Sequence, residues 1–152
     1  MLLLAETISR LRVKWNQRPL TENDFHRLCK RRKITVQEMP LRVSGFYYCV
    51  MGRHFIAIDS KLPPTRKLLV MFHEFAHFLL HSPHGPFTAN YHGYHGLSGR
   101  SRAEMEADAF ALCALMPKTW LESDRLAELA EEAGFDMDMV RDRLEIFDRF
   151  GL

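Results

Sequence analysis

A chain of 152 residues, 47% hydrophobic and 26% charged, has the balance of a single soluble domain large enough to bury a core. Its formal net charge of +2 sets up no global field for nucleic acid or an anionic membrane surface. No apolar run approaches the about 20 residues that a membrane-spanning helix needs, and the opening MLLLAETISRLRVKW lacks the basic start and long apolar segment of a secretory leader.

The opening instead places Leu4, Ile8, Leu11 and Trp15 on one face of a helix expected over residues 3–15. Thr21, with Asp24 three residues on, predicts a capped second helix reaching about Lys33. Its basic run HRLCKRRK, residues 26–33, reads as a solvated helix end rather than a nucleic-acid patch, because cations suit a helix C-terminus. Three strand-like runs follow. ITVQEMPLRV contains Pro40 and so reads as an edge or interrupted strand, while GFYYCVM and HFIAID flank Gly52-Arg53, expected as the turn of an antiparallel hairpin. LPP at 62–64 introduces a helix over about 65–81. Residues 82–99 are rich in Gly and Pro and form a long irregular loop containing NYHGYHG. A helix follows to Met116, stopped by Pro117, and two more, about 124–133 and 137–149, are separated by Gly134. Helices, a small antiparallel sheet of about three strands, then helices make an α+β fold, with residues 1–152 expected as one domain. Cys29, Cys49 and Cys113, odd in number and far apart, fit a reducing cytoplasm and supply neither a disulfide framework nor a cysteine zinc knuckle.

The chemistry concentrates in HEFAHFLLH, residues 73–81. Residues four apart in a helix lie about 40° apart around the axis and about 6 Å along it. His73 and His77 therefore project from one side, and two imidazoles so placed can converge on one Zn²⁺. His81 lies a further turn on, roughly 12 Å along the axis from His73, so it is a helix-end histidine or an outer partner, not a third ligand. Glu74 flanks the pair and is placed to take a proton from an activated water and pass it to a leaving amine, the mechanics of the His-Glu-x-x-His motif. The helix KLLVMFHEFAHFLLH is apolar nearly all round, and two buried histidines beside a buried glutamate are costly without partners.

A catalytic zinc site needs a third protein ligand and one open position. The downstream candidates are His84, His92, His95, Glu104, Glu106 and Asp108. Glu104 and Asp108 share a helical face in SRAEMEADAFALCALMP, beside the small-residue stripe Ala103, Ala107, Ala111 and Ala114, whereas Glu106 points elsewhere. This favours Glu104 as the ligand, with Asp108 bonding the free N–H of a ligating histidine. Ser101 with Glu104 also reads as a capping box; a cap at Ser98 would release Glu104 from that role. His92 and His95 remain alternatives for the third position. A metzincin arrangement is excluded, because Leu80 and Pro83 stand where it needs Gly and His.

HEFAHFLLH followed by EMEADAFALCALMP, with 27 residues from His77 to Glu104, resembles the ImmA/IrrE family of small gluzincin-type metallopeptidases. HFIAID, LPPTRKLLVMFHE and the ALMP helix exit extend the resemblance over roughly residues 20–125. The resemblance implies a minimal zincin-like domain with zinc on His73, His77 and Glu104 and with Glu74 as general base. It also implies cleavage of a protein substrate, commonly a helix-turn-helix transcriptional repressor. Members often carry Asn where this chain has Asp108, and Asp serves the same outer role. Some carry an added DNA-binding or sensor domain, of which this sequence gives no sign.

The reading that follows is a cytoplasmic zinc endopeptidase without membrane attachment. Its substrate would add in β fashion to HFIAID, expected as an edge strand, and Tyr91, His92, Tyr94 or His95 would stabilise the oxyanion. Two alternatives stand beside it. The C-terminal LAELAEEAGFDMDMVRDRLEIF has a helix-turn-helix outline, but residues 136–149 carry three Arg against five acidic groups, a poor match to phosphate. The other alternative is a zinc-holding interaction module without protease activity.

Overall fold

The computed structural model describes the backbone of residues 2–81, 89–91 and 101–152. The elements are α+β: α1 (Leu2–Ser9), α2 (Glu22–Arg31), β1 (Ile34–Met39), β2 (Gly45–Val50), β3 (Arg53–Asp59), α3 (Pro64–His81), β4 (Ala89–Tyr91), α4 (Arg102–Leu115), α5 (Lys118–Glu122), α6 (Leu126–Ala133) and α7 (Met137–Phe150). They fall into two compact units, residues 21–95 and residues 1–20 with 96–152. Among the described residues no helix is long and apolar enough to cross a membrane.

The unit of residues 21–95 holds the sheet. Its α2 starts on the expected capping box: the Thr21 hydroxyl accepts from Asp24 N–H, and the Asp24 carboxylate accepts from Thr21 N–H. The strand order is β1-β3-β2-β4. β2 and β3 form the expected antiparallel hairpin, but its two-residue turn is Met51-Gly52, one position earlier than expected, with φ of 50° and 74°. Two left-handed residues make the turn that matches strand twist. β1 stops at Met39 before Pro40 and lies at an edge, as its proline predicts.

The sheet corrects two expectations. It is mixed rather than wholly antiparallel, because β1 runs parallel to β3, and β4 adds a fourth, short antiparallel strand. HFIAID is also not an edge: β3 pairs with β1 on one side and β2 on the other, and Ile56 is fully buried. The crossover from β1 to β2 makes this possible by leaving room for β3 between them. Asp59 ties that crossover down, its Oδ1 accepting from Leu41 and Lys61 N–H while Ser44 O accepts from Asp59 N–H. Burial pushes the Asp59 carboxyl up, but these donors and the Lys61 ammonium prevail and hold it below its ordinary value.

α3 lies on one face of the sheet and is buried continuously from Leu69 to His77. Gly45, Tyr47, His54, Ile56 and Ile58 face it by strand alternation; Tyr47 and His54 both make ring contacts to Phe78. Phe72 meets Phe25 of α2 edge-on. Phe55 and Tyr48 stack on the opposite face, with ring centroids 4.8 Å apart.

The other unit is helical. α1 is shorter than expected, since it ends at Ser9 and the chain turns left-handed at Arg12 and Asn16. Leu4, Ile8, Leu11 and Trp15 are nevertheless all buried. Trp15 stacks on Phe110 and donates its indole N–H to the Phe110 carbonyl of α4. α7 packs on α4. Its Arg143 is fully buried and donates to the carbonyls of Met116 and Leu152 and to Asn16 Oδ1. Gly134, at φ 82°, breaks α6 from α7 as its sequence position predicts, and α5 behind Pro117 is an element the sequence reading did not separate.

Candidate metal centre

Nothing in KLLVMFHEFAHFLLH breaks a helix, and Pro64 suits a first helical position because its missing N–H has no intrahelical role there. The result is one uninterrupted helix that sets His73, His77 and His81 at successive turns. His73, Glu74 and His77 are fully buried. The Nε2 atoms of His73 and His77 lie 3.1 Å apart, with the rings crossed at 76°. Two nitrogens bound to one tetrahedral zinc at about 2.0–2.1 Å are separated by roughly 3.3–3.4 Å. The pair therefore fits a shared ion with a shift of a few tenths of an ångström. His81 does not turn toward that point; its Nδ1 lies 3.0 Å from His77 Nδ1.

The helical unit carries the other expected residues. Ser101, not Ser98, is the N-cap of α4, and its hydroxyl accepts from the Glu104 backbone N–H at 3.2 Å. This cap bond is made by the backbone N–H of Glu104, an atom that ligation would not use. Glu104 is half-buried and Asp108, one turn on, is fully buried. Glu106 accepts from Arg102 Nε at 2.8 Å. Ala107, Ala111 and Ala114 are all buried. His84, His92, Tyr94 and His95 lie outside the described residues, as does the Tyr91 side chain.

His73, His77 and Glu104 offer two imidazoles and a carboxylate, donor types that could hold a metal ion. Cys29 and Cys113 do not compete for that role. Burial pushes the Cys29 thiol up to about 12 and the Cys113 thiol up to about 11, the latter against the opposing pull of Arg143; thiols so held stay protonated and inert.

Residues 29–145 match the family model Peptidase_M78, described as the IrrE N-terminal-like domain. The chain belongs to this family. The match covers most of the 152 residues and includes α3 with its histidines and all of α4, so the ImmA/IrrE resemblance carried by HEFAHFLLH and EMEADAFALCALMP holds at the level of the metallopeptidase family. No curated protein sequence matches the chain.

The sequence reading passed over one polar pair in this ImmA/IrrE domain. Tyr47 Oη and His54 Nδ1 are 2.8 Å apart on the sheet face that meets α3. Strand alternation could have placed both on that face; only the pairing of β2 with β3 brings their side chains together.

Proposed function

We propose that this chain is a zinc-dependent endopeptidase that cuts a protein substrate, a helix-turn-helix transcriptional repressor being the class to which its family resemblance points. The observation that carries the reading is the 3.1 Å approach of His73 Nε2 and His77 Nε2 within a buried helix, in a chain of a metallopeptidase family. In this reading Glu104 supplies the third ligand, and Asp108 bonds a ligating histidine from outside. When bound, zinc polarises a scissile carbonyl and brings water within range of a neutral-pH nucleophile. Glu74, next to His73 in the chain, accepts a proton from the attacking water and returns it to the departing amine. The burial of Glu74 keeps bulk water away from that transfer.

The substrate path differs from an addition to HFIAID. Extended peptide would add to the outer side of β2 and β4. Among the described residues β4 pairs with Gly45 to Tyr47, and Tyr47 joins this strand to α3 through Phe78. A compact repressor would offer such a segment only at a linker or a frayed helix end, where local opening costs little. Reduced thiols at Cys29, Cys49 and Cys113 are consistent with a cytoplasmic setting.

The test is the zinc-loaded chain against the repressor encoded beside its gene, with Glu74→Gln in parallel. Glu74→Gln should keep one zinc and lose about 10²–10⁴-fold in turnover, the usual worth of a positioned acid–base group. Equal turnover in the two proteins would remove Glu74 as the base, and no turnover in either would leave a zinc-holding interaction module. The DNA-binding alternative is weakened by the state of the α7 arginines: Arg141 pairs with Asp138, Arg149 pairs with Glu145, and Arg143 is buried, which leaves little for phosphate.

A further inference from the structure

We infer that His81 is a positioning residue, which holds His77 in the tautomer and ring orientation that present Nε2 to the ion. The two ring nitrogens of His77 face opposite ways along α3. Nε2 is 3.1 Å from His73 Nε2, and Nδ1 is 3.0 Å from His81 Nδ1. The rings of His77 and His81 are 5.1 Å apart and inclined at 51°. A neutral imidazole carries one N–H and one lone pair. For Nε2 to offer its lone pair, the proton must sit on Nδ1, and His81 Nδ1 is within hydrogen-bond distance to accept it. His81 then carries its own proton on Nε2. A proton on His77 Nε2 would instead point at His73 Nε2 and tie the two ligand nitrogens to each other. Accepting at Nδ1 therefore keeps the binding atoms facing a common point.

The device is local. Histidines at i and i+4 of one uninterrupted helix are held at this spacing by the helix itself, so His77 is oriented from within α3. An imidazole acceptor adds no charge, in contrast to the carboxylates that often orient ligating histidines. His81 is half-buried at the end of the helix, with its Nδ1 turned to His77.

The test uses the full chain with His81→Phe, which keeps a ring but no acceptor, and His81→Asn, whose amide oxygen takes the place of Nδ1. Long-range ¹⁵N–¹H correlation on the metal-free proteins reads the His77 tautomer, and competition with a chelator reads zinc affinity. The expected result is a single His77 Nδ1–H tautomer in the parent and in His81→Asn, a mixture in His81→Phe, and zinc bound about 10–100-fold more weakly by His81→Phe alone. An unchanged tautomer and an unchanged affinity in His81→Phe overturn the inference. So does elemental analysis showing two zinc ions per parent chain and one in His81→Phe, which would make His81 a ligand. The inference rests on the proposed zinc site, and the failures separate: a parent chain that takes up no zinc sinks that site, whereas a zinc-loaded parent with an indifferent His81→Phe sinks only the role of His81.

Discussion

Gly45 sets how closely α3 approaches the sheet, and Gly45→Ala tests it. A Cβ at this position would lie 2.6 Å from Val70 Cγ1 and 2.9 Å from Ala57 O, where carbon contacts normally settle at about 3.5–4.0 Å. Neither neighbour yields easily. Val70 is buried in α3, and a β-branched side chain in a helix has essentially one χ1 rotamer. Ala57 belongs to the β2–β3 ladder, opposite Phe46. Relief of the Val70 contact requires moving α3 off the sheet, and relief of the Ala57 O contact requires spreading β2 from β3, together an overpacking cost of about 1–3 kcal/mol. At about 2–4 °C per kcal/mol for a chain of this size, the melting temperature should fall by roughly 2–12 °C. Val70→Ala alone empties space and should cost about 2 kcal/mol. The double variant places the new methyl where the Val70 methyls were, so it should be more stable than the sum of the singles by at least about 1 kcal/mol. Thermal unfolding of the four metal-free proteins, followed by circular dichroism, gives the cycle directly. Because Val70 precedes His73 by one turn, Gly45→Ala should also weaken zinc binding, and the double variant should restore part of it. A neutral Gly45→Ala, or strictly additive singles, would refute the close approach of β2 and α3 as the element that positions the pair.

Elemental analysis of His73→Ala, His77→Ala and Glu104→Ala should show loss of most zinc in each; full zinc in Glu104→Ala with loss in His92→Ala or His95→Ala would reassign the third ligand. Asp108→Ala should lower metal affinity or turnover by about 10–100-fold, while Glu106→Ala, whose partner is Arg102, should leave both unchanged; the reverse ranking would mean that α4 presents its other face. Burial, with Glu145 nearby, raises the Asp142 carboxyl to about 6, so between its ordinary value near 4 and pH 6 the folded chain holds a proton that the unfolded chain has released. Stability due to this group is therefore present at low pH and lost as pH rises toward 6. Asp142→Asn, read by denaturant unfolding, should gain relative to the parent above pH 6 and not below pH 4; a difference independent of pH would remove burial of the charge as the cause.

Much of the site was legible because its geometry is local. The four-residue spacing of His73 and His77 becomes a shared face in any α-helix, and the chain from Thr65 to His81 contains nothing that interrupts one. The Thr21 cap, the end of β1 before Pro40 and the break at Gly134 were legible for the same reason, since each depends on the φ limits or the hydrogen-bonding reach of residues within one turn. What remained hidden was decided by partners distant in sequence. HFIAID has the same alternation whether it lies at an edge or in the centre, and only the arrival of β1 on its second side makes it central. Arg143 sits among acidic neighbours in α7 with no local mark of burial; it is buried because carbonyls of Met116 and Leu152 and the Asn16 amide converge on it. The spacing showed that His81 could not join His73 on one ion, but the direction of its Nδ1 is a rotamer, and rotamers in a packed helix are set by what surrounds them.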